Sequence, residues 1–180
     1  MGRHNSLRNR WAKICSTAGI ANQKEQGCSG SDSTRPADLL LTDFPGKSGK
    51  PLALDFTVVS PLTNTFLGAG GVNAEGMTAV QAAETKKHRE NDAKCRELSW
   101  ECLPMVVSTY GEWGEEAAGH LSRVGQFLAD ATATKPYMVI PGLYNALSVV
   151  LVKHNARAIL SRHWRGSVGR CEVLRDYLVR

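Results

Sequence analysis

An acidic residue lies in the middle of the most strand-like segment of this sequence. Residues 52–60 read LALDFTVVS, in which apolar and β-branched residues surround Asp55. Alternate side chains of a strand point to opposite faces, so Leu54 and Phe56 share one face and Asp55 lies on the other. Burying a lone carboxylate costs several kcal/mol unless it is paired, hydrogen-bonded or bound to a metal. The segment therefore predicts a strand in a fold that gives Asp55 a partner.

A second acidic residue opens the preceding strand-like segment. Asp38 begins the apolar run 38–42, and the turn-rich segment 44–51 leads on to the strand of Asp55, a pattern typical of a hairpin with a long loop. Each residue alone has a simple explanation, since Asp38 can cap a turn after Pro36 and Asp55 can pair with an arginine. Together, two neighbouring carboxylates favour a site for a hard cation such as Mg²⁺.

The position of a lysine decides what such a site could do. A lysine two residues after Asp55 would lie beside it and could orient a water or neutralise a phosphate, but that position is Thr57. A long helix predicted over 74–99 offers Lys86 and Lys87. Lys87 lies on the stripe of the helix that faces the sheet, whereas Lys86 is rotated away by about 100°. We therefore predict that Lys87 reaches the carboxylates.

The remaining segments predict an α/β fold. A third strand is expected over 103–109. Further helices are expected over 5–19, 113–130, 142–162 and 171–178. The order of these elements favours a mixed β-sheet flanked by α-helices.

The length of 180 residues favours a single domain over 1–180. We divide it into an N-terminal helix and loop, a core that carries both carboxylates and Lys87, and C-terminal helices, at 1–34, 35–110 and 111–180. The net charge is +5, with basic residues prevailing at both ends and acidic residues in the middle. This distribution suits a chain that binds a polyanion with its ends and a cation in its centre, and ordinary solubilising charge explains it equally well.

Cysteine usage and the apolar runs bear on the location of the protein. The five cysteines form no C-x-x-C pair, which argues against a closed zinc site and for reduced, buried thiols. The longest apolar run, 138–152, contains Pro141 and Gly142, and we expect it to be too short and too polar to cross a bilayer. The N-terminus shows no apolar signal core. The chain is therefore expected to be intracellular and not to bind membranes.

Several motifs occur together along the chain. They are Arg3-His4-Asn5 with Arg8, Arg35-Pro-Ala-Asp38, Leu54-Asp55-Phe-Thr-Val-Val-Ser-Pro61, Lys87, Cys95 with Pro104, Gly111-Glu-Trp113 and Asn155-Ala-Arg-Ala-Ile-Leu160. In this order and spacing they resemble the restriction-like endonuclease domain of non-LTR retrotransposons, which belongs to the PD-(D/E)xK nuclease superfamily. The resemblance covers nearly the whole chain and rests on the motifs together, since none of them is specific alone.

The resemblance implies a restriction-endonuclease-like core with Asp38 and Asp55 as ligands of a catalytic Mg²⁺ or Mn²⁺. It implies that Lys87 is the catalytic lysine, moved from the strand to the following helix. The superfamily often adds an acidic residue near the N-terminus, for which Glu25 is the candidate. The chain departs from its relatives near Asn91, where a tyrosine is often found.

The function expected from these features is that of a divalent-metal-dependent DNA endonuclease, a nuclear hydrolase that nicks or cuts DNA. In the relatives this domain is fused to a reverse transcriptase. Phosphate contacts are expected from Arg3, His4, Arg8, Arg35, Arg157 and Arg162. The other histidines are expected at the surface: His88, His120, His154 and His163. Two alternatives stay open, a catalytically silent DNA-binding module on the same fold and a structural domain that binds no nucleic acid.

Overall fold

The helices and strands follow one another in nearly the predicted order. The computed structural model describes residues 2–26, 36–44, 49–68 and 70–166. Its elements are α1 (Arg3–Thr17), β1 (Asn22–Gln26), β2 (Ala37–Leu41), β3 (Leu52–Val59), α2 (Asn64–Leu67), α3 (Ala79–Glu97), β4 (Glu101–Ser108), α4 (Glu115–Ala131) and α5 (Pro136–Gly166). The helix expected over 171–178 lies outside the described residues.

The strands form one mixed sheet in the order β1-β2-β3-β4. β2 is antiparallel to both β1 and β3, and Leu39 lies opposite Leu54 in the central hairpin. β4 is parallel to β3, with Pro104 opposite Asp55, and α3 forms the crossover between these two strands. The predicted α/β fold, a mixed sheet flanked by helices, is confirmed.

The two faces of β3 contact different sets of helices, as the alternation predicts. Leu52, Leu54 and Phe56 join the main core, to which α1, α4 and α5 contribute. Ala53 lies on the other face, in a small cluster with Cys95 of α3. Because Ala53 and Cys95 are small, α3 can lie close to β3 beside Asp55.

Helix α3 is shorter than predicted at its start. The prediction was 74–99, and the helix is Ala79–Glu97. Thr78 is the N-cap, and it forms a capping box with Gln81 in which each side chain accepts a hydrogen bond from the other residue's backbone N–H. At the other end, Ser99 has a φ of 56°, which turns the chain out of the helix.

Strand β1 was not predicted. Its sequence, NQKEQ, is polar throughout, so it lacks the alternation by which a half-buried strand is recognised. It is an edge strand with one neighbour, β2. Its position depends on that pairing and not on any preference of its own residues.

Helix α5 is longer than predicted because it begins at Pro136 and continues through Pro141. The segment Pro136–Ser161 is long and apolar enough to cross a membrane by length and composition, so the expectation that this run is too short is corrected. In the fold, the helix packs Leu143, Leu147 and Leu151 into the core beside α1 and α4.

His120 was expected at the surface, and this expectation is wrong. Its side chain on α4 is buried, with its ring centroid 5.6 Å from that of Trp11 and 5.3 Å from that of Phe44. Neither ring nitrogen has a hydrogen-bond partner among the described residues. Burial, helped by Arg123, lowers the pKa of His120 to about 3, so the ring stays neutral in the folded protein.

We expect His120→Leu to stabilise the fold in acid. The unfolded chain takes up a proton at His120 below its ordinary pKa of 6.5, whereas the folded chain does not, so the wild type loses stability as the pH falls from 6.5 towards 3. Leucine removes this linkage and two unpartnered nitrogens, with an expected gain of about 1–2 kcal/mol in the free energy of unfolding at pH 5. Urea denaturation at pH 5 and pH 8 measures it. A loss of stability at both pH values would contradict the prediction.

Candidate active site

The central hairpin brings the two predicted carboxylates together. Leu39 pairs with Leu54, and continuing this antiparallel register by one residue places Asp38 opposite Asp55. The side chain of Asp38 is 23% exposed and that of Asp55 is 10% exposed. The backbone N–H of Phe56 donates to Asp38 Oδ2 at 2.8 Å. The prediction that hairpin pairing makes these carboxylates neighbours is confirmed.

Helix α3 supplies two donors to Asp55. Lys87 Nζ lies 2.9 Å from Asp55 Oδ2, and Asn91 Nδ2 donates to the same oxygen at 2.5 Å. The two donors are four residues apart and therefore share one face of the helix. Lys86 is 71% exposed and lies 3.7 Å from Glu90. As predicted, Lys87 and not Lys86 faces the sheet, and among the described residues the cation that pairs with Asp55 is this lysine.

Helix α1 supplies a donor to Asp38. His4 Nε2 lies 2.7 Å from Asp38 Oδ2, and His4 Nδ1 lies 2.8 Å from Asn5 Oδ1. The hydrogen bond to Asp38 raises the pKa of His4, since the imidazolium can donate to both oxygens. His4 was predicted only as a phosphate contact. The link to Asp38 was missed because the two residues are 34 positions apart in the chain.

The two carboxylates differ in how readily they carry charge. Burial raises the pKa of Asp55 above its ordinary value, and the nearby Asp38 adds to this, although Lys87 opposes it. Burial also acts on Asp38, but hydrogen bonds from His4 and from the Phe56 N–H outweigh it and lower the pKa of Asp38. Each of two neighbouring carboxylates affects the protonation of the other, and a cation bound between them would relieve their repulsion.

The donor set fits a hard divalent cation. In the described part of the chain, His4 and the Phe56 N–H reach Oδ2 of Asp38, and Lys87 and Asn91 reach Oδ2 of Asp55. Mg²⁺ is commonly held by one or two carboxylates, with water or substrate oxygens completing the octahedron. No group of three or more His, Cys, Asp or Glu side chains arranged to hold a metal occurs among the described residues. Within the described part of the chain, the carboxylate pair would rely on water or substrate for its other ligands.

A second set of contacts fixes the rotation of α3. His88, which was expected at the surface, is half-buried, with Nδ1 2.8 Å from Asp92 Oδ1 and Nε2 2.8 Å from Glu116 Oε1 of α4. Glu84 lies against the start of α4, where a Cβ at Gly114 would clash with it. Because α3 is held on this side, Lys87 is held toward β3.

The start of α1 is tied to α5 and to the end of β4. Arg3 Nη1 donates to Asn155 Oδ1 at 2.8 Å, and Asn155 Nδ2 donates to the backbone oxygen of Thr109 at 2.7 Å. The next residue after Arg3 is His4, so this tie also positions the donor of Asp38. Arg3 therefore has a structural role in addition to the phosphate contact predicted for it.

Basic residues gather beside this tie. We call Arg3, Lys153 and Arg157 the α1–α5 basic patch. All three are close enough to His154 to lower its pKa, an effect in which burial comes first and Arg157 second. The patch adjoins the candidate site through His4, which follows Arg3 in α1.

The other predicted site residues are less informative. Arg8 lies in α1 and is 7% exposed, so it offers little surface to a phosphate. The structure does not describe Arg35 or the side chains of Glu25, Arg162 and His163. Their predicted roles stay predictions.

Comparison with known proteins gives no match of any kind. No family model matches the sequence, no curated protein matches it, and no solved structure matches the fold. The resemblance to retrotransposon endonucleases therefore rests on the sequence motifs alone.

The contact between Lys87 and Asp55 predicts different effects for two neighbouring lysines. We expect Lys87→Met to lower the free energy of unfolding at pH 7 by about 1–3 kcal/mol, because it leaves a largely buried carboxylate without its cation. Lys86→Met, the matched control, should change it by less than about 0.5 kcal/mol because Lys86 is exposed. Urea denaturation measures both. The loss in Lys87→Met should shrink at pH 4, since the raised pKa of Asp55 favours its neutral form. Equal effects of the two substitutions would contradict the geometry.

Proposed function

We propose that this chain is a divalent-metal-dependent DNA endonuclease that hydrolyses phosphodiester bonds on a restriction-endonuclease-like core. The observation that carries the proposal is the proximity of three side chains. Asp38 and Asp55 lie on neighbouring strands of the mixed sheet, and Lys87 of α3 places its Nζ 2.9 Å from Asp55. Two carboxylates and a lysine are the groups that metal-assisted phosphate hydrolysis needs. The order of the sequence motifs supports the same activity.

In this proposal, Asp38 and Asp55 would hold Mg²⁺ or Mn²⁺. When bound, the ion would lower the pKa of a water and neutralise charge on the phosphate. The carboxylates stay oriented because their Oδ2 atoms are already held by protein donors. Such orientation before substrate binding reduces the reorganisation that the reaction requires.

Lys87 supplies the positive charge on the side of α3. Its ammonium can stabilise the charge that develops on the phosphate oxygens in the transition state. Asn91 shares Asp55 Oδ2 with Lys87 and keeps hold of that oxygen if Lys87 turns toward the substrate. Asn91 thus becomes a positioning residue, although the sequence marked it only as a departure from the relatives.

His4 has the corresponding role at Asp38. Its Nε2 is engaged with Asp38 Oδ2, so it orients the carboxylate and is not itself assigned as a metal ligand. The tie from Arg3 to Asn155 holds His4 in place. The proposed site is therefore assembled from α1, the central hairpin and α3.

The proposed partner is DNA. The α1–α5 basic patch adjoins the site and offers positive charge to the phosphates, which would give affinity without sequence preference. A DNA substrate would place the protein in the nucleus, and fusion to a reverse transcriptase is proposed only from the resemblance.

We expect the protein to nick supercoiled plasmid in Mg²⁺ or Mn²⁺ and not in EDTA. Asp55→Asn and Lys87→Met should each reduce the rate by about 100-fold or more, since each removes a group that acts on the transition state. Lys86→Met is the matched control and should stay within about twofold of the wild type, because Lys86 is exposed and lies beside Glu90. Calorimetry with Mn²⁺ should show binding that Asp55→Asn loses and Lys87→Met keeps.

Other outcomes of this assay point to other functions. DNA retention in a gel shift without cleavage in any metal would favour the silent DNA-binding module. An absence of both cleavage and DNA binding would favour a structural domain. Equal activity of Lys86→Met and Lys87→Met would remove Lys87 from the proposed chemistry.

The basic patch predicts a salt-dependent contribution to DNA affinity. We expect Lys153→Gln/Arg157→Gln to weaken binding and to make the slope of log K against log salt shallower by about 1–2, roughly one for each phosphate that is no longer neutralised. The matched control, Lys13→Gln/Lys135→Gln, removes the same charge from exposed positions outside the patch and should change the slope less. Fluorescence anisotropy across a salt series measures both. An equal loss of affinity in the two double variants would show that the patch has no special part in binding.

A further inference from the structure

The turn between α3 and β4 brings two cysteines together. The backbone N–H of Trp100 donates to the backbone oxygen of Cys95 at 2.8 Å, and Ser99 reverses the chain with its φ of 56°. Cys102 follows two residues after Trp100 in the extended chain and so faces the same side, toward α3. Both Trp100 and Cys102 pack against the small cluster that contains Cys95, which is 1% exposed.

The two thiols interact directly. A hydrogen bond from Cys102 lowers the pKa of the Cys95 thiol, and the same bond raises the pKa of Cys102. Cys15 is different, because burial alone raises the pKa of its thiol to about 12. Since the thiolate is the nucleophilic form of cysteine, the lowered pKa favours Cys95 over Cys15 as a nucleophile.

A polar cleft gives small molecules access to the pair. Cys102 is partly buried and lines a cleft of about 480 Å³ together with His88, Asp92, Arg96 and Lys50. The cleft is large enough for water and small polar oxidants. Cys102 therefore forms the open side of the pair and Cys95 its closed side.

We propose that Cys95 and Cys102 form a dithiol site that hydrogen peroxide oxidises to an intrachain disulfide, which a dithiol reductant can reduce again. A thiolate of the pair attacks one peroxide oxygen, the O–O bond breaks, and a sulfenic acid and one water result after protonation. The second thiol then attacks the sulfenic sulfur, the S–S bond forms and a second water leaves. The two sulfurs give up two electrons in all, which the peroxide takes up.

This inference is independent of the proposed nuclease activity. The site does lie one helical turn from Asn91, which holds Asp55, so the pair is placed on the part of α3 that supports the carboxylates.

The test is oxidation of the native chain and of a Cys28→Ser/Cys171→Ser chain, which keeps Cys15 and the pair. Each is treated with hydrogen peroxide, alkylated under denaturing conditions, digested and analysed by mass spectrometry. We expect the loss of two hydrogen atoms, one cross-linked peptide joining Cys95 to Cys102, an alkylated Cys15, and full reversal by dithiothreitol. Cys95→Ser and Cys102→Ser should each abolish the cross-link, and the remaining thiol should be trapped by dimedone as a sulfenic acid.

Three results would overturn the proposal. The first is that both thiols of the pair still react with the alkylating agent as they do in the untreated protein, although peroxide has oxidised free cysteine in the same sample. The second is a cross-link that joins Cys15 to either member of the pair, or that joins two chains, in place of the intrachain bond. Circular dichroism of the oxidised native chain should match that of the reduced chain, and loss of the folded signal before the cross-link forms would likewise contradict it.

Discussion

The carboxylate in the middle of β3 is the constraint on which the surrounding arrangement depends. The side chain of Asp55 is 10% exposed, and a charge at that depth is costly unless it is paired. Lys87 and Asn91 both pair with Oδ2 of Asp55. They can do so only if α3 is rotated about its axis so that the face carrying both residues lies toward β3. The contacts of His88 with α4 hold that rotation. The core and the candidate site are therefore parts of one arrangement.

The same contacts stabilise the fold and orient the carboxylates of the candidate site. Asp38 and Asp55 each present Oδ2 to protein donors, which hold the two carboxylates in place. His4 joins α1 to this pair, and Arg3 joins α1 to α5, which connects the basic patch to the carboxylates. Changes at these residues should affect stability and activity together, and for this reason matched controls such as Lys86 separate the two effects.

Some errors of the sequence-based predictions share a physical cause. β1 has no apolar alternation and exists because β2 offers it a partner. His120 was predicted at the surface because histidine is polar, but α4 places its ring against Trp11 and Phe44 in the core. The sequence analysis named Asn91 and His4 but did not predict that they contact Asp55 and Asp38. In every case the missing information was which distant segment the residue would contact.

The sequence by itself determined the local periodicities and the faces on which they place each side chain. The alternation of β3 put Asp55 on the face with small neighbours, and the helical repeat put Lys87 rather than Lys86 toward the sheet, because each depends only on residues near in the chain. The tertiary structure alone decided that His4 would reach Asp38 across 34 residues and that Asn91 would reach Asp55 across 36. Such contacts depend on how whole elements pack, and packing is set by the shape and volume of the entire core, which no local pattern contains.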